Sequence, residues 1–65
     1  MTKKDYVKIA DILGYYYSRI EGMSGNQKQI FTKFYGDIIE DLCKSFELEN
    51  NRFNQNKFID AIKRL

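Results

Sequence analysis

The sequence contains no histidine, no tryptophan and no proline, and its only cysteine is Cys43. Without histidine, the chain lacks the side chain that most often acts as a general base near neutral pH. One cysteine without histidine also excludes a zinc site of the usual composition, a cysteine–histidine nucleophile pair and a disulfide framework. We therefore expect no enzyme, no metal and no cofactor, and a reducing intracellular compartment.

Long apolar runs are also missing. Residues 1–5 lead into a segment with charges inside it, rather than into the apolar region of a signal peptide. No stretch approaches the length that is needed to span a bilayer. With no proline and only four glycines, no linker or low-complexity tract divides the chain. The sequence predicts a single domain over residues 1–65, in the cytoplasm and without a membrane partner.

Aromatic residues are abundant: the chain has five phenylalanines and five tyrosines. Because each buries a large area, they can hold together a domain near the lower size limit for a single core. They also favour self-association as a way of covering surplus apolar surface, and we expect a homo-oligomer, either a dimer or a larger assembly. The net charge of +2 is unevenly distributed: residues 23–50 are acidic and residues 51–65 are basic. This polarity can steer a partner or attract a second copy.

The strongest periodicity lies between Gln29 and Phe46, where apolar residues recur every three to four positions, as they do on an α-helix. The apolar arc covers more than half of the helix circumference, which predicts neighbours on two sides. We expect this helix, over about residues 26–47, to be the central one of the domain. Its predicted core or oligomer-contact residues are Phe31, Phe34, Tyr35, Ile38, Ile39, Leu42 and Phe46.

A first helix is predicted over residues 3–21, because Thr2 and Asp5 have the spacing of a capping box. Its apolar stripe places Gly14 on the opposite side and consists of Tyr6, Ile9, Leu13, Tyr16 and Ile20. Ser24 and Gln27 have the same capping spacing and can start the second helix.

A third helix is predicted over residues 55–64. Phe53, Asn54 and Phe58 have the spacing of a hydrophobic staple, in which the side chains before and after an N-cap pack together. Phe53, Phe58 and Ile62 are the predicted core residues of this segment. The expected fold is therefore all-α, a small three-helix domain.

Three carboxylates, on Asp37, Glu40 and Asp41, lie at helical spacing and can in principle share a divalent cation or act as an acid–base pair. Hard-cation sites usually take ligands from more than one segment, and Glu40 has an i+4 partner in Lys44. We interpret these carboxylates as a solvated helix face.

The tyrosines at positions 15–17 are followed by Arg19. Since three consecutive helical residues cannot all face one core, we expect Tyr16 inside, Tyr17 at the edge and Tyr15 outside. An outward tyrosine beside an arginine has the composition of a binding hot spot, which makes Tyr15, Tyr17 and Arg19 predicted partner-binding residues. The alternative is an edge-covering aromatic beside one that is exposed singly, which is ordinary.

The basic residues near the C-terminus form the second predicted partner-binding set: Arg52, Lys57, Lys63 and Arg64. Interleaved with asparagine and glutamine, they can contact phosphates or base edges. The small net charge and the acidic second helix argue against a nucleic-acid duplex as the partner. Simple solvation of the helix is the alternative.

Both ends of the chain resemble a known pattern. Residues 2–6 read TKKDY and are followed by Ile9-Ala10, and residues 51–54 read NRFN and are followed by Lys57-Phe58 and Ala61. These motifs are similar to those of very small tailed-bacteriophage accessory proteins, which begin T-K-K-D-Y-x-x-I-A and end near N-P-R-F-D-x-x-[KR]-F-x-x-A. This sequence differs from the pattern by Asn50-Asn51 in place of Asn-Pro, by Asn54 in place of Asp, and in its last three residues.

The resemblance implies a shared fold and a phage or prophage origin. As a class, small phage accessory proteins often bind and block a host component, including antiviral defence machinery. The resemblance thus predicts a protein that occupies a host protein or protein complex in the bacterial cytoplasm. Two alternatives stay open: an oligomer that sequesters a small nucleotide-like ligand between its subunits, and a small regulator that binds DNA or RNA.

Overall fold

The computed structural model describes residues 1–64 and shows three α-helices over that range: α1, Lys3–Glu21; α2, Gly25–Glu49; and α3, Gln55–Lys63. The predicted all-α, three-helix domain is confirmed. The bounds of α1 are those predicted, α2 extends slightly beyond residues 26–47 at both ends, and α3 ends just before residue 64. None of these helices combines the length and the apolar character that crossing a bilayer requires.

Capping interactions define the starts of α1 and α3. The Thr2 side-chain oxygen accepts a hydrogen bond from the backbone N–H of Asp5, and the Asp5 carboxylate accepts one from the Thr2 N–H at 3.0 Å. The Asn54 side chain accepts a hydrogen bond from the Lys57 N–H, also at 3.0 Å. At α2 the predicted capping by Ser24 is wrong, since its side chain makes no capping hydrogen bond. The chain turns there through Gly25, whose φ of 69° lies in the left-handed region that glycine tolerates.

Four rings form an aromatic cluster that joins all three helices and the loop before α3. Phe53 and Phe58 lie 5.6 Å apart between ring centroids, which confirms the predicted staple. Phe46 of α2 packs on both, at 5.2 and 5.5 Å. Tyr6 of α1 completes the cluster at 5.0 Å from Phe46 and 5.2 Å from Phe53. All five of these pairs are edge-to-face or tilted, arrangements that aromatic rings prefer over face-to-face stacking.

Small residues allow α1 and α3 to pack closely. Ala10 and Gly14, one turn apart on α1, are both buried, and the most extensive contact between helix backbones is that of α1 with α3. The predicted place of Gly14 on the outer side of α1 is therefore wrong. The expectation that α2 is central is also wrong, because α1 packs against both other helices while the backbones of α2 and α3 approach only marginally.

The core lies toward one end of the molecule, which we call the packed end. It consists of Ala10, Cys43, Phe46, Phe58 and Ile62, and half-buried side chains, including the predicted Tyr35, Ile39, Leu42 and Phe53, pack against it. The 25 residues of α2 span about 37 Å, whereas the nine of α3 span only about 13 Å. The N-terminal half of α2 therefore extends beyond α3, and with the last turns of α1 it forms what we call the open end.

Three of the predicted core residues are exposed: Phe31 and Phe34 at this open end, and Ile38 one turn further along α2. As a prediction about the core of one chain, their assignment is wrong. The physical reason is that α3 packs on one side of the α1–α2 hairpin, whereas these three side chains lie on the other side. Their alternative role, in contact with another copy, stays a prediction.

Candidate interaction surfaces

Tyr15 and Arg19 form a preorganised pair on the outer side of α1. Arg19 Nη1 donates a hydrogen bond to the Tyr15 hydroxyl at 3.4 Å, and the guanidinium carbon lies 5.8 Å from the centre of the tyrosine ring. Tyr15 is exposed, which confirms its predicted outward orientation. Whether the pair binds a partner stays a prediction.

The predicted place of Tyr16 is wrong, whereas Tyr17 lies at the edge of the core, as predicted. Tyr16, expected in the core, is exposed and packs edge-to-face on Tyr15 at 5.1 Å. Tyr17 is half-buried and packs edge-to-face on Tyr35 at 6.1 Å. The reason is that α1 turns Ala10 and Gly14 toward the core, and position 17 follows these two residues on the same helical face. Tyr17 therefore does not share a surface with Tyr15 and Arg19.

Tyr35 links α2 to α1, because its hydroxyl donates a hydrogen bond to the backbone carbonyl of Leu13. Burial, with a smaller contribution from Tyr17, raises the pKa of Tyr35 to about 12. The two rings stand beside a cavity of about 240 Å³ that Ile39, Ile62 and Lys63 also line. This volume lies below the ~300–1,000 Å³ of typical small-molecule sites.

The four basic residues predicted as one set are divided between surfaces. Arg52 and Lys57 lie together along the start of α3. Lys63 lies instead beside the cavity next to Tyr35, and Arg64 is exposed at the end of α3. They do not make one continuous patch of positive charge.

Arg52 and Lys57 share a groove between α1 and α3 with Lys3, which comes from the other end of the chain. We call this groove the basic groove; its volume is about 340 Å³. All three cationic residues are exposed. The rest of its lining is largely apolar and includes Tyr6, Val7, Ala10, Phe53, Phe58 and Ala61.

A second surface, which we call the apolar face, lies on the opposite side of the α1–α2 hairpin from α3. Tyr16, Met23, Phe31, Phe34 and Ile38 line one shallow depression there. Ile30 extends the surface, because it lies one turn before Phe34 on the same side of α2. Apart from half-buried Met23, these side chains are 46–64% exposed. Six large apolar residues therefore lie together on one exposed side of the α1–α2 hairpin.

The carboxylates on α2 are exposed, and Glu40 pairs with Lys44 at 3.1 Å. Within residues 1–64, no three histidine, cysteine, aspartate or glutamate side chains come close enough to hold a metal ion. Cys43 is buried in the core, and this burial, with a smaller effect of Glu47, raises the pKa of its thiol. A buried thiol that keeps its proton is a weak nucleophile.

Reasoning from the sequence missed two features of these surfaces. One is Lys3, which was considered only as part of the first helical turn. The other is the apolar face, whose signal was the excessive width of the apolar arc on α2. No protein-family model, curated protein or solved structure matches this chain.

Proposed function

We propose that the chain is a small binding protein that occupies a partner protein through the basic groove. The observation that carries this proposal is the grouping of Lys3, Arg52 and Lys57 around an apolar floor made partly by the aromatic cluster. An apolar floor within a charged rim is the usual organisation of a protein–protein contact. Its chemistry suits an acidic segment that carries an apolar or aromatic side chain.

The rim residues are attached to backbone that is already ordered. Lys3 is the first residue of α1, directly after the N-cap Thr2, and Lys57 donates its backbone N–H to the Asn54 side chain that caps α3. The Arg52 N–H is held by the side-chain oxygen of Asn50 at 3.0 Å. A partner that binds here has little backbone to order, and this lowers the entropic cost of association.

We propose further that the partner is a host protein or protein complex, such as an antiviral defence factor, and that the chain is of phage or prophage origin. The support is the resemblance of its two ends to small phage accessory proteins. Lys3, Arg52 and Lys57 all belong to the motifs that carry this resemblance. Capping, the staple and the core explain most of the other motif residues, but they require no cation at these three positions.

The test is recovery of the tagged protein from bacterial lysate, followed by native mass spectrometry. We expect a stoichiometric host protein with the wild type and at least a tenfold loss of it with Lys57→Glu. This variant should fold, because a glutamate at the third helical residue can complete a capping box with Asn54. Lys33→Glu, at an exposed position on α2, is the matched control for the change in charge. Equal recovery of the partner with Lys57→Glu would refute the role of the groove.

The same measurement separates the alternatives. A bare oligomer that carries a small molecule would favour sequestration, with a pocket between subunits, since the cavity beside Tyr35 is small for such a ligand. Bound nucleic acid that is lost steeply with added salt would favour the regulator. The division of the basic residues between two surfaces argues against the regulator.

A further inference from the structure

We propose that the apolar face is the docking site for a second copy of this chain, in a two-fold dimer whose α1 lies along the α2 of the other copy. This proposal goes beyond the proposed function and is independent of it. The apolar face and the basic groove share no residue.

The area of the face matches what a small dimer needs. At about 200 Å² for a whole large side chain, the exposed parts of these residues amount to roughly 500 Å² per copy. Two copies placed face to face would remove roughly 1,000 Å² from water, which is the lower limit for a specific interface. This area is also at the upper end of what a typical monomer exposes as one apolar patch, roughly 300–600 Å².

The distribution of charge selects one arrangement of the two copies. On α1, Lys8 and Arg19 border the face. Lys8 lies about two helical turns before Tyr16, and Arg19 lines the same depression as Tyr16. On α2, the charges that follow Ile30, Phe34 and Ile38 by three residues are Lys33, Asp37 and Asp41, so this edge is acidic on balance. Laying α1 on the partner's α2 brings the basic edge against the acidic edge. Laying α1 on α1 would bring like charges together.

The hydrogen bond from Tyr35 to Leu13 gives the register of this pairing. Tyr35 of α2 lies beside Leu13 of α1. Because the two helices are antiparallel, moving six residues forward on α2 to Asp41 corresponds to moving six residues back on α1, to the position just before Lys8. A two-fold axis parallel to the helices leaves the position of each residue along the helix direction unchanged. Lys8 of one copy would therefore face the partner's Asp41. The result is a four-helix bundle, in which each α1 is antiparallel to the partner's α2. Both copies of α3, and both basic grooves, remain on the outside.

Sedimentation velocity at protein concentrations between about 1 and 100 µM tests the proposal, because a small interface is expected to have a dissociation constant in this range. We expect the wild type to dimerise within this range, and we expect Phe34→Glu to weaken the dimer about a hundredfold or more, because each copy would bury an unpaired charge. Far-UV circular dichroism should show unchanged helix content, since Phe34 is exposed in the single chain. Leu48→Glu is the control: it lies on the same helix beyond the face and is 90% exposed.

A charge exchange tests the arrangement. Lys8→Glu alone should weaken the dimer, and adding Asp41→Lys to the same chain should restore it to within a few-fold of the wild type. A monomeric wild type over the whole range would overturn the proposal, as would a Phe34→Glu dimer as tight as the wild type. A doubly exchanged chain that dimerises less well than Lys8→Glu alone would overturn the pairing of α1 with α2. None of these measurements depends on a host partner.

Discussion

Replacing Tyr6 with phenylalanine would remove one oxygen atom from the aromatic cluster and keep the ring that packs on Phe46 and Phe53. The Tyr6 hydroxyl oxygen is buried, and it makes no hydrogen bond with any atom of residues 1–64. Tyr35 offers the opposite case, because its hydroxyl donates to the carbonyl of Leu13. The same chemical change at these two positions should therefore have opposite effects on stability.

The magnitudes follow from the cost of leaving a buried polar group unpaired, about 1–3 kcal/mol, and from the net worth of a hydrogen bond, about 0.5–1.5 kcal/mol. Tyr6→Phe should raise the free energy of unfolding by about 1 kcal/mol, the lower limit for an unpaired group, because Tyr6 is only half-buried. Tyr35→Phe should lower the free energy of unfolding by about 1 kcal/mol. For a chain of this size, whose total stability is about 3–10 kcal/mol, both changes are large.

Urea unfolding, followed by circular dichroism at 222 nm, measures both changes, and each kcal/mol should move the thermal midpoint by about 4–8 °C. All variants must be compared at one protein concentration, because association would add to the apparent stability. If Tyr6→Phe is no more stable than the wild type, the hydroxyl has a partner in solution and the reasoning is wrong. If Tyr35→Phe is as stable as the wild type, its hydrogen bond to α1 contributes nothing.

Two further predictions concern pH and packing. Between pH 10 and about 12, the wild type should lose stability that Tyr35→Phe does not lose. The reason is that Tyr35 has a pKa of about 12 in the folded protein and of about 10 in the unfolded chain, so rising pH removes the proton from the unfolded chain first. Urea midpoints of both proteins across that pH range measure the difference. Ala10→Leu should lower the free energy of unfolding by about 1–3 kcal/mol, because it overfills the contact between α1 and α3. Val7→Leu, at an exposed position on the same helix, is the control and should alter the free energy of unfolding by less than about 0.5 kcal/mol. An equal effect of both substitutions would contradict close packing at Ala10.

The helices could be predicted from the sequence because their signals are local. The capping box at Thr2 and the staple of Phe53 and Phe58 act over a few residues, and both are present in the fold. The orientation of α1 could not be predicted in the same way. Large apolar side chains define its sequence stripe, whereas the residues that it buries fully are Ala10 and Gly14, which have little or no side chain.

The surfaces were less predictable than the helices because they depend on where separate segments meet. Nothing in the local pattern shows that Lys3 approaches Arg52 and Lys57, since the three residues lie at opposite ends of the chain. Equally, the width of the apolar arc on α2 indicates two neighbours without stating whether the second belongs to the same chain. One flank of that arc is left uncovered because α3 packs on the opposite side of the α1–α2 hairpin.

The contrast between the packed and the open end has a consequence for how the molecule unfolds locally. Backbone amides open more easily where few apolar side chains cover them, so the first turns of α2 should exchange their hydrogens with solvent long before those around Cys43 and Phe46. A second copy seated on the apolar face would protect these turns. The exchange rates near Phe31 and Phe34 would then depend on protein concentration, whereas those near Phe46 would follow the global stability of the fold.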